Sequence, residues 1–157
     1  MSQGNVDLLC AMLATRGELL QQLQGLREDT ARTRPEPNEW SVVEVLQHVA
    51  DVDQLMLRRL RSVMAGDPEL TPYNPADWEQ ARSEAERQGL AGILCRVYAV
   101  RTELLQATAG MSAADLAKPA IHPKYGPMTA QGLAEMVIRH DHDHAEQIAK
   151  TRAVVEA

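Results

Sequence analysis

Five histidines, His48, His122, His140, His142 and His144, are the residues of this 157-residue chain best suited to chemistry. Four residues turn a helix through about 400°, so His140 and His144 present both imidazoles on one face, a turn apart. Leu133, Met136, Val137 and Ile148 share that seam and should face a core. His142 is about 200° round from either and is expected to meet solvent. His48 has Val45 and Val52 on its own side, with Val49 and Leu55 close by, and is also expected to look inward. A buried polar group without a partner costs on the order of 1–3 kcal/mol. One inward histidine can be satisfied by a backbone carbonyl or a tyrosine, whereas a divalent cation satisfies three at once. Two histidines a turn apart also occur on solvated faces. The metal reading therefore requires the helix of His48 to pack against that of the pair. Three histidines with one open position form a catalytic zinc arrangement, while four closed ligands form a structural one. Imidazole equally suits nickel, iron and copper.

Four long stretches of helical periodicity must position these side chains. The first covers about Val6 to Arg27, with Leu9, Met12, Leu13, Leu20, Leu23 and Leu26 as its stripe, and Arg34-Pro35-Glu36-Pro37-Asn38 follows as a connector. The second begins at Ser41, where Ser41-Val42-Val43-Glu44 reads as a capping box, and runs to about Ala65 before Gly66-Asp67-Pro68. Residues 67–80 read as a long crossover with a short helical piece at Ala76–Gln80. The third spans Arg82 to Ala109, weakened at Gly89 and Gly92 and capped by Gly110. A loop from Met111 to Met128 leads to the last helix, capped by Thr129 and running to about Val154. No stretch alternates well enough to demand a strand. The expectation is an all-α protein, one domain over 1–157, folded as a four-helix bundle with sites built from inward side chains.

Composition narrows the function classes. The chain is 45% hydrophobic with no Phe, a palette of Leu, Val, Ala, Met and Ile that favours helix. A net charge of −6 argues against phosphate backbones, so no nucleic-acid partner is expected. The longest apolar run near the start, Leu8–Ala14, is far short of the roughly 18 residues of a membrane span. No secretory signal is visible. A cytoplasmic protein without membrane partners is the expectation. Cys10 and Cys95 make no pair and read as small buried hydrophobes.

The segment Asn38-Glu39-Trp40-Ser41-Val42-Val43-Glu44-Val45-Leu46-Gln47-His48-Val49-Ala50-Asp51 resembles the signature of the DinB-like superfamily. His140-Asp141-His142-Asp143-His144-Ala145-Glu146-Gln147-Ile148 resembles its second half, an HDxxHxxQI pattern, and Gly126-Pro127-Met128-Thr129 resembles the turn before that helix. The resemblance covers about Leu8 to Val154. It implies an up-down-down-up bundle, often a homodimer, and a divalent metal, usually zinc or nickel, on His48, His140 and His144. It also implies several chemistries: thiol-dependent S-transfer to small electrophiles with a low-molecular-weight thiol, metal-dependent hydrolysis, isomerisation, or a non-catalytic metal-binding or stress-related module.

Transfer is taken as the leading reading, with a small-molecule substrate. A metal there would activate a thiol or a water, and either step needs a proton acceptor. Asp51, three residues after His48, and Glu44, one turn before it, are the candidates, although Glu44 also completes the capping box. Asp141 and Asp143 could orient the ligand histidines by accepting their other ring N–H. Trp40 reads as a hydrophobic staple or a lid on the bundle end. Trp78 and Tyr73 read as crossover residues at the site mouth or on the surface. Arg101 is either solvated or a contact for an anionic thiol, and Arg58-Arg59-Leu60-Arg61 reads as a solvated face. His122 and Lys124 sit on the loop before the last helix and could approach a ligand.

Overall fold

The computed structural model describes residues 3–157, with the side chains of Pro75 and Trp78 outside the description. The expectation for Trp78 lies outside the described residues. The elements are α1 (Gln3–Gln21), α2 (Glu28–Arg32), α3 (Val42–Met64), α4 (Pro75–Ala109), α5 (Ala113–Leu116), β1 (Pro119–His122), β2 (Gly126–Thr129) and α6 (Ala130–Val155). The four long helices form the bundle: α3 packs on α4 and α6, and α1 on α6 and α4.

Two apolar cores lie end to end and fix the chain direction. One holds Leu8 and Met12 of α1, Leu57 and Leu60 of α3, Leu104 of α4, and Leu133 and Val137 of α6. The other holds Leu19, then Val42 to Ala50, then Ala85 to Val97, then Ala145 and Ile148. So α1 and α6 run from the first core to the second, and α3 and α4 run the opposite way. The helices are therefore up, down, down, up, and residues 65–74 form the crossover that carries the chain back between the two parallel helices.

Local chemistry explains the boundaries. Ser41 Oγ accepts from the Glu44 amide while Glu44 accepts from the Ser41 amide at 2.8 Å, so the capping box starts α3 as expected. The α4 helix starts earlier than the periodicity suggests, at Pro75, and breaks at Gly89, whose φ of 72° and ψ of 167° are not helical. The short α2, not legible in the sequence, covers that break. Glu28 accepts from the Leu90 amide at 2.9 Å, capping the second half, and Arg32 donates to the Glu86 carbonyl at 3.0 Å, capping the first.

Three expectations need correction. The loop before α6 contains an antiparallel hairpin, β1 with β2, in register from Pro119 opposite Thr129 to His122 opposite Gly126. Strands of four residues are too short to show an alternating pattern, and this pair is held by a partner the sequence does not announce. The crossover docks beside β1, where the Leu70 amide donates to the Ile121 carbonyl at 3.1 Å and the Ile121 amide to the Pro68 carbonyl at 2.7 Å. Cys10 and Cys95 are both exposed, on the outer faces of α1 and α4. Arg59 is buried inside what reads as a solvated basic run. Its guanidinium donates twice to the Thr71 carbonyl, at 3.1 and 2.7 Å, and lies 3.2 Å from His122 Nε2, tying α3 to crossover and hairpin. His122 is thereby a structural residue, its Nδ1 accepting from the amides of Lys124 and Tyr125 at 3.1 and 3.2 Å.

Candidate metal centre

His48 of α3 and His140 and His144 of α6 converge, each partly buried, with ligand atoms all within 4.8 Å of one another. His140 Nε2 lies 3.0 Å from His48 Nε2 and 3.0 Å from His144 Nε2. Metal–nitrogen bonds of about 2.0–2.1 Å in tetrahedral geometry put ligand nitrogens about 3.4 Å apart. The two 3.0 Å separations are close to that spacing. Among the described residues no fourth His, Cys, Asp or Glu joins the group.

Protonation supports the same reading. Gln147 Oε1 accepts from His144 Nδ1 at 2.7 Å, which puts the proton on Nδ1 and leaves the Nε2 lone pair aimed into the cluster. Burial, with the neighbouring His144, pushes His48 down to about 4. Burial, then His144 and His48, then the cations Arg16 and Arg101, push His140 down to about 2. Burial also lowers His144, against the upward pull of Gln147, Asp143 and Asp141. All three rings are neutral at pH 7 and offer lone pairs, the form a metal takes. Three imidazoles in mutual contact with so few protons between them are poorly satisfied by one another, and a divalent cation fits this donor set.

The helix geometry behaves as the spacing predicts. His140 and His144 share the inner face, while His142 is exposed beside Glu18 at 3.4 Å and Glu146 at 3.6 Å. Trp40 packs on the second core and meets the His48 ring edge-on at 5.3 Å between centroids. Tyr73 stands on another side of that ring, at 6.4 Å.

The carboxylates sort differently from expectation. Glu44 is buried and held by Arg34 at 3.0 Å, Arg82 at 3.0 Å and Ser41. Burial pushes its carboxyl up, but Arg34 and Ser41 outweigh it and hold it below the usual range. Asp51 pairs with Arg96 at 2.6 Å and borders a cavity of about 530 Å³ with Gln47 and Tyr73, whose described lining includes none of the three histidines. Asp141 does not orient a ligand histidine. Both its oxygens face Arg16 and Arg101, and His140 Nδ1 is buried without a hydrogen-bond partner among the described residues. Asp143 is exposed and borders two cavities. One, of about 590 Å³, is bounded also by Trp40, His144, Gln147 and Lys150. The other, of about 400 Å³, is bounded by Tyr125, Met136, Arg139 and His140.

Sequence reasoning missed Arg16 and Asp53 altogether and left Arg101 solvated or ligand-binding. In the structure Arg16, Asp53, Arg101 and Asp141 are at most 5% exposed and form one ion network. The available signal was charge interrupting apolar helical stripes at corresponding levels of four helices.

The sequence model of the DinB superfamily matches residues 11–148. The chain belongs to the DinB superfamily. It is 22% identical over 153 residues to the uncharacterised protein YuaE of Bacillus subtilis (strain 168), covering 90% of this chain and 94% of YuaE. Among solved structures, YfiT from Bacillus subtilis superposes with a TM-score of 0.80 at 15% identity, covering 96% of this chain and 87% of YfiT. YfiT is described as a probable metal-dependent hydrolase with an unusual four-helix bundle topology. The four-helix bundle protein TT2238 gives a TM-score of 0.68 at 20% identity, over 93% of this chain and 98% of its own. The colibactin self-resistance protein ClbS, solved with double-stranded DNA, gives 0.74 at 13%, over 93% and 94%. These likenesses carry the fold. Among the described residues no helix is long and apolar enough to cross a membrane.

Proposed function

We propose that this protein is a metal-dependent hydrolase acting on a small molecule, with His48, His140 and His144 holding a divalent ion such as zinc or nickel. The observation that carries the reading is the meeting of three neutral imidazoles from two helices, with His144 locked by Gln147 so that its Nε2 points inward. The likeness to YfiT supports hydrolysis over the thiol-dependent transfer that the sequence alone favours. An ion held there supplies Lewis-acid chemistry, polarising a carbonyl and acidifying water.

The protein's own groups do the rest. The substrate enters the cavity along Trp40 or the one along Tyr125, since His144 borders the first and His140 the second. Trp40 offers a flat apolar wall, and Lys150 a cation at the rim. Asp143 borders both cavities and is the proton acceptor in this reading, in place of Glu44, whose oxygens are committed to the cap and two arginines. Asp51 is the second candidate for that role. An ester, amide and lactone panel tests the reading on protein purified without a nickel column. Metal-dependent hydrolysis without added thiol is expected, lost in His48→Ala and His144→Ala and reduced about 100-fold in Asp143→Asn. Full activity in Asp143→Asn with loss in Asp51→Asn moves the proton acceptor to Asp51. Turnover that strictly requires a thiol overturns the hydrolase.

A further inference from the structure

The two apolar cores are separated by a single charged layer to which each bundle helix gives one residue: Arg16 from α1, Asp53 from α3, Arg101 from α4 and Asp141 from α6. Arg16 Nη2 reaches Asp53 at 3.0 Å and Asp141 at 2.8 Å, with Nε on Asp141 at 3.1 Å. Arg101 reaches Asp53 through Nε at 2.9 Å and Nη2 at 2.8 Å, and Asp141 through Nη2 at 3.0 Å. Two cations and two anions balance. Both guanidiniums therefore clamp the same two carboxylates, and those sit on the two helices that carry the histidines. Asp141 shares a peptide bond with His140, and Asp53 follows His48 by little more than one turn of α3.

Stability alone does not call for such a layer. A buried ion network gains little over well-packed apolar residues of the same volume, and replacing one with apolar residues is often neutral or stabilising by about 1–4 kcal/mol. What a planar guanidinium adds is fixed geometry, because its donors set both distance and angle to each carboxylate. Here that geometry fixes how α3 stands against α6, at the level where His48 must meet His140 and His144.

We infer that Arg16, Asp53, Arg101 and Asp141 are positioning residues for the histidine triad, holding α3 and α6 in the register that brings His48 to the α6 pair. The inference rests on the proposed metal site for its use, but the register itself can be read without metal.

The test compares wild type with Arg16→Met/Asp53→Leu/Arg101→Met/Asp141→Leu, and with the charge-conserving Arg101→Lys in case the fourfold variant fails to fold. Two readouts are taken: zinc affinity by calorimetry, and NMR cross-peaks between the His48 and His140 ring protons in metal-free protein. Folded variants with the wild-type helical signal are expected to lose those cross-peaks and to bind zinc at least 10-fold more weakly. Arg101→Lys should lie between wild type and the fourfold variant. A folded variant that keeps the ring-to-ring cross-peaks overturns the positioning role. If wild type binds no zinc, the metal reading falls, and the cross-peaks still decide the register.

Discussion

Two buried polar clusters sit side by side in this bundle, and they are built on opposite principles. The charged layer is balanced in charge: every carboxylate oxygen of Asp53 and Asp141 faces a guanidinium within about 3 Å, and the layer's net charge is zero, although Nη1 of Arg16 and of Arg101 meets no acceptor among the described residues. The histidine triad holds no charged group: its Nε2 atoms meet at 3.0 Å, and burial keeps the rings neutral. A cluster balanced in charge calls for no counter-ion from outside. A cluster of neutral imidazoles at the border of two cavities offers lone pairs, a donor set that fits a cation. Both are polar, at least partly buried and assembled from facing helices, so removal from water alone does not separate structure from function. Pairing of opposite charges does: the layer contains it and the triad does not.

Mutations should split the two clusters. The largest effect belongs to the layer: Asp53→Leu leaves two buried guanidiniums short of a counter-charge and should cost about 3–5 kcal/mol in urea unfolding of the metal-free protein. A loss below about 1 kcal/mol there would mean the layer is not the balanced unit described. The triad should behave in reverse. His140→Ala should leave metal-free stability within about 1 kcal/mol of wild type yet weaken zinc binding more than about 100-fold, beyond the loss caused by removing a ligand's hydrogen-bond partner.

Acid should act on the triad too. The folded values of His48 and His140, about 4 and about 2, lie below the ordinary value of 6.5. The unfolded chain therefore binds protons first as the pH falls. Stability from this source is complete above about pH 6.5 and is lost progressively as the pH drops toward 4 and below. A metal-free variant with all three histidines changed to Ala should show a flatter denaturation midpoint over that window. Equal slopes in the two proteins would remove the triad as the cause.

Smaller effects sharpen the picture. Gln147→Leu frees the His144 tautomer and should weaken metal binding about 10–100-fold with the fold intact. His142→Ala, on the solvent side of the same helix, should change stability by no more than about 0.5 kcal/mol and leave metal binding unchanged.

Much of this was legible in the chain. Spacing alone put His140 and His144 inward and His142 outward, and Ser41 with Glu44 announced the start of α3. The family resemblance named all three members of the triad. What stayed hidden depends on contacts distant in sequence. Asp141 looks like a partner for a neighbouring histidine until Arg16 and Arg101 are brought to it from other helices. Arg59 looks solvated because its partners, Thr71 and His122, lie beyond a helix end and in a hairpin too short to show a period. The α2 helix covers the break at Gly89, which only tertiary packing reveals. Asp143 carries no motif of its own, and its place at the border of two cavities comes from the way Trp40 and Tyr125 flank α6.

The most direct measurement is the stoichiometry of zinc binding to protein stripped with a chelator and purified without a nickel column. It should be made on wild type, His48→Ala, His140→Ala and His144→Ala. A ratio near one in wild type that collapses in all three variants is the predicted result. A wild type that binds no zinc, or a His48→Ala variant that binds it as well as wild type does, would contradict a site shared between α3 and α6.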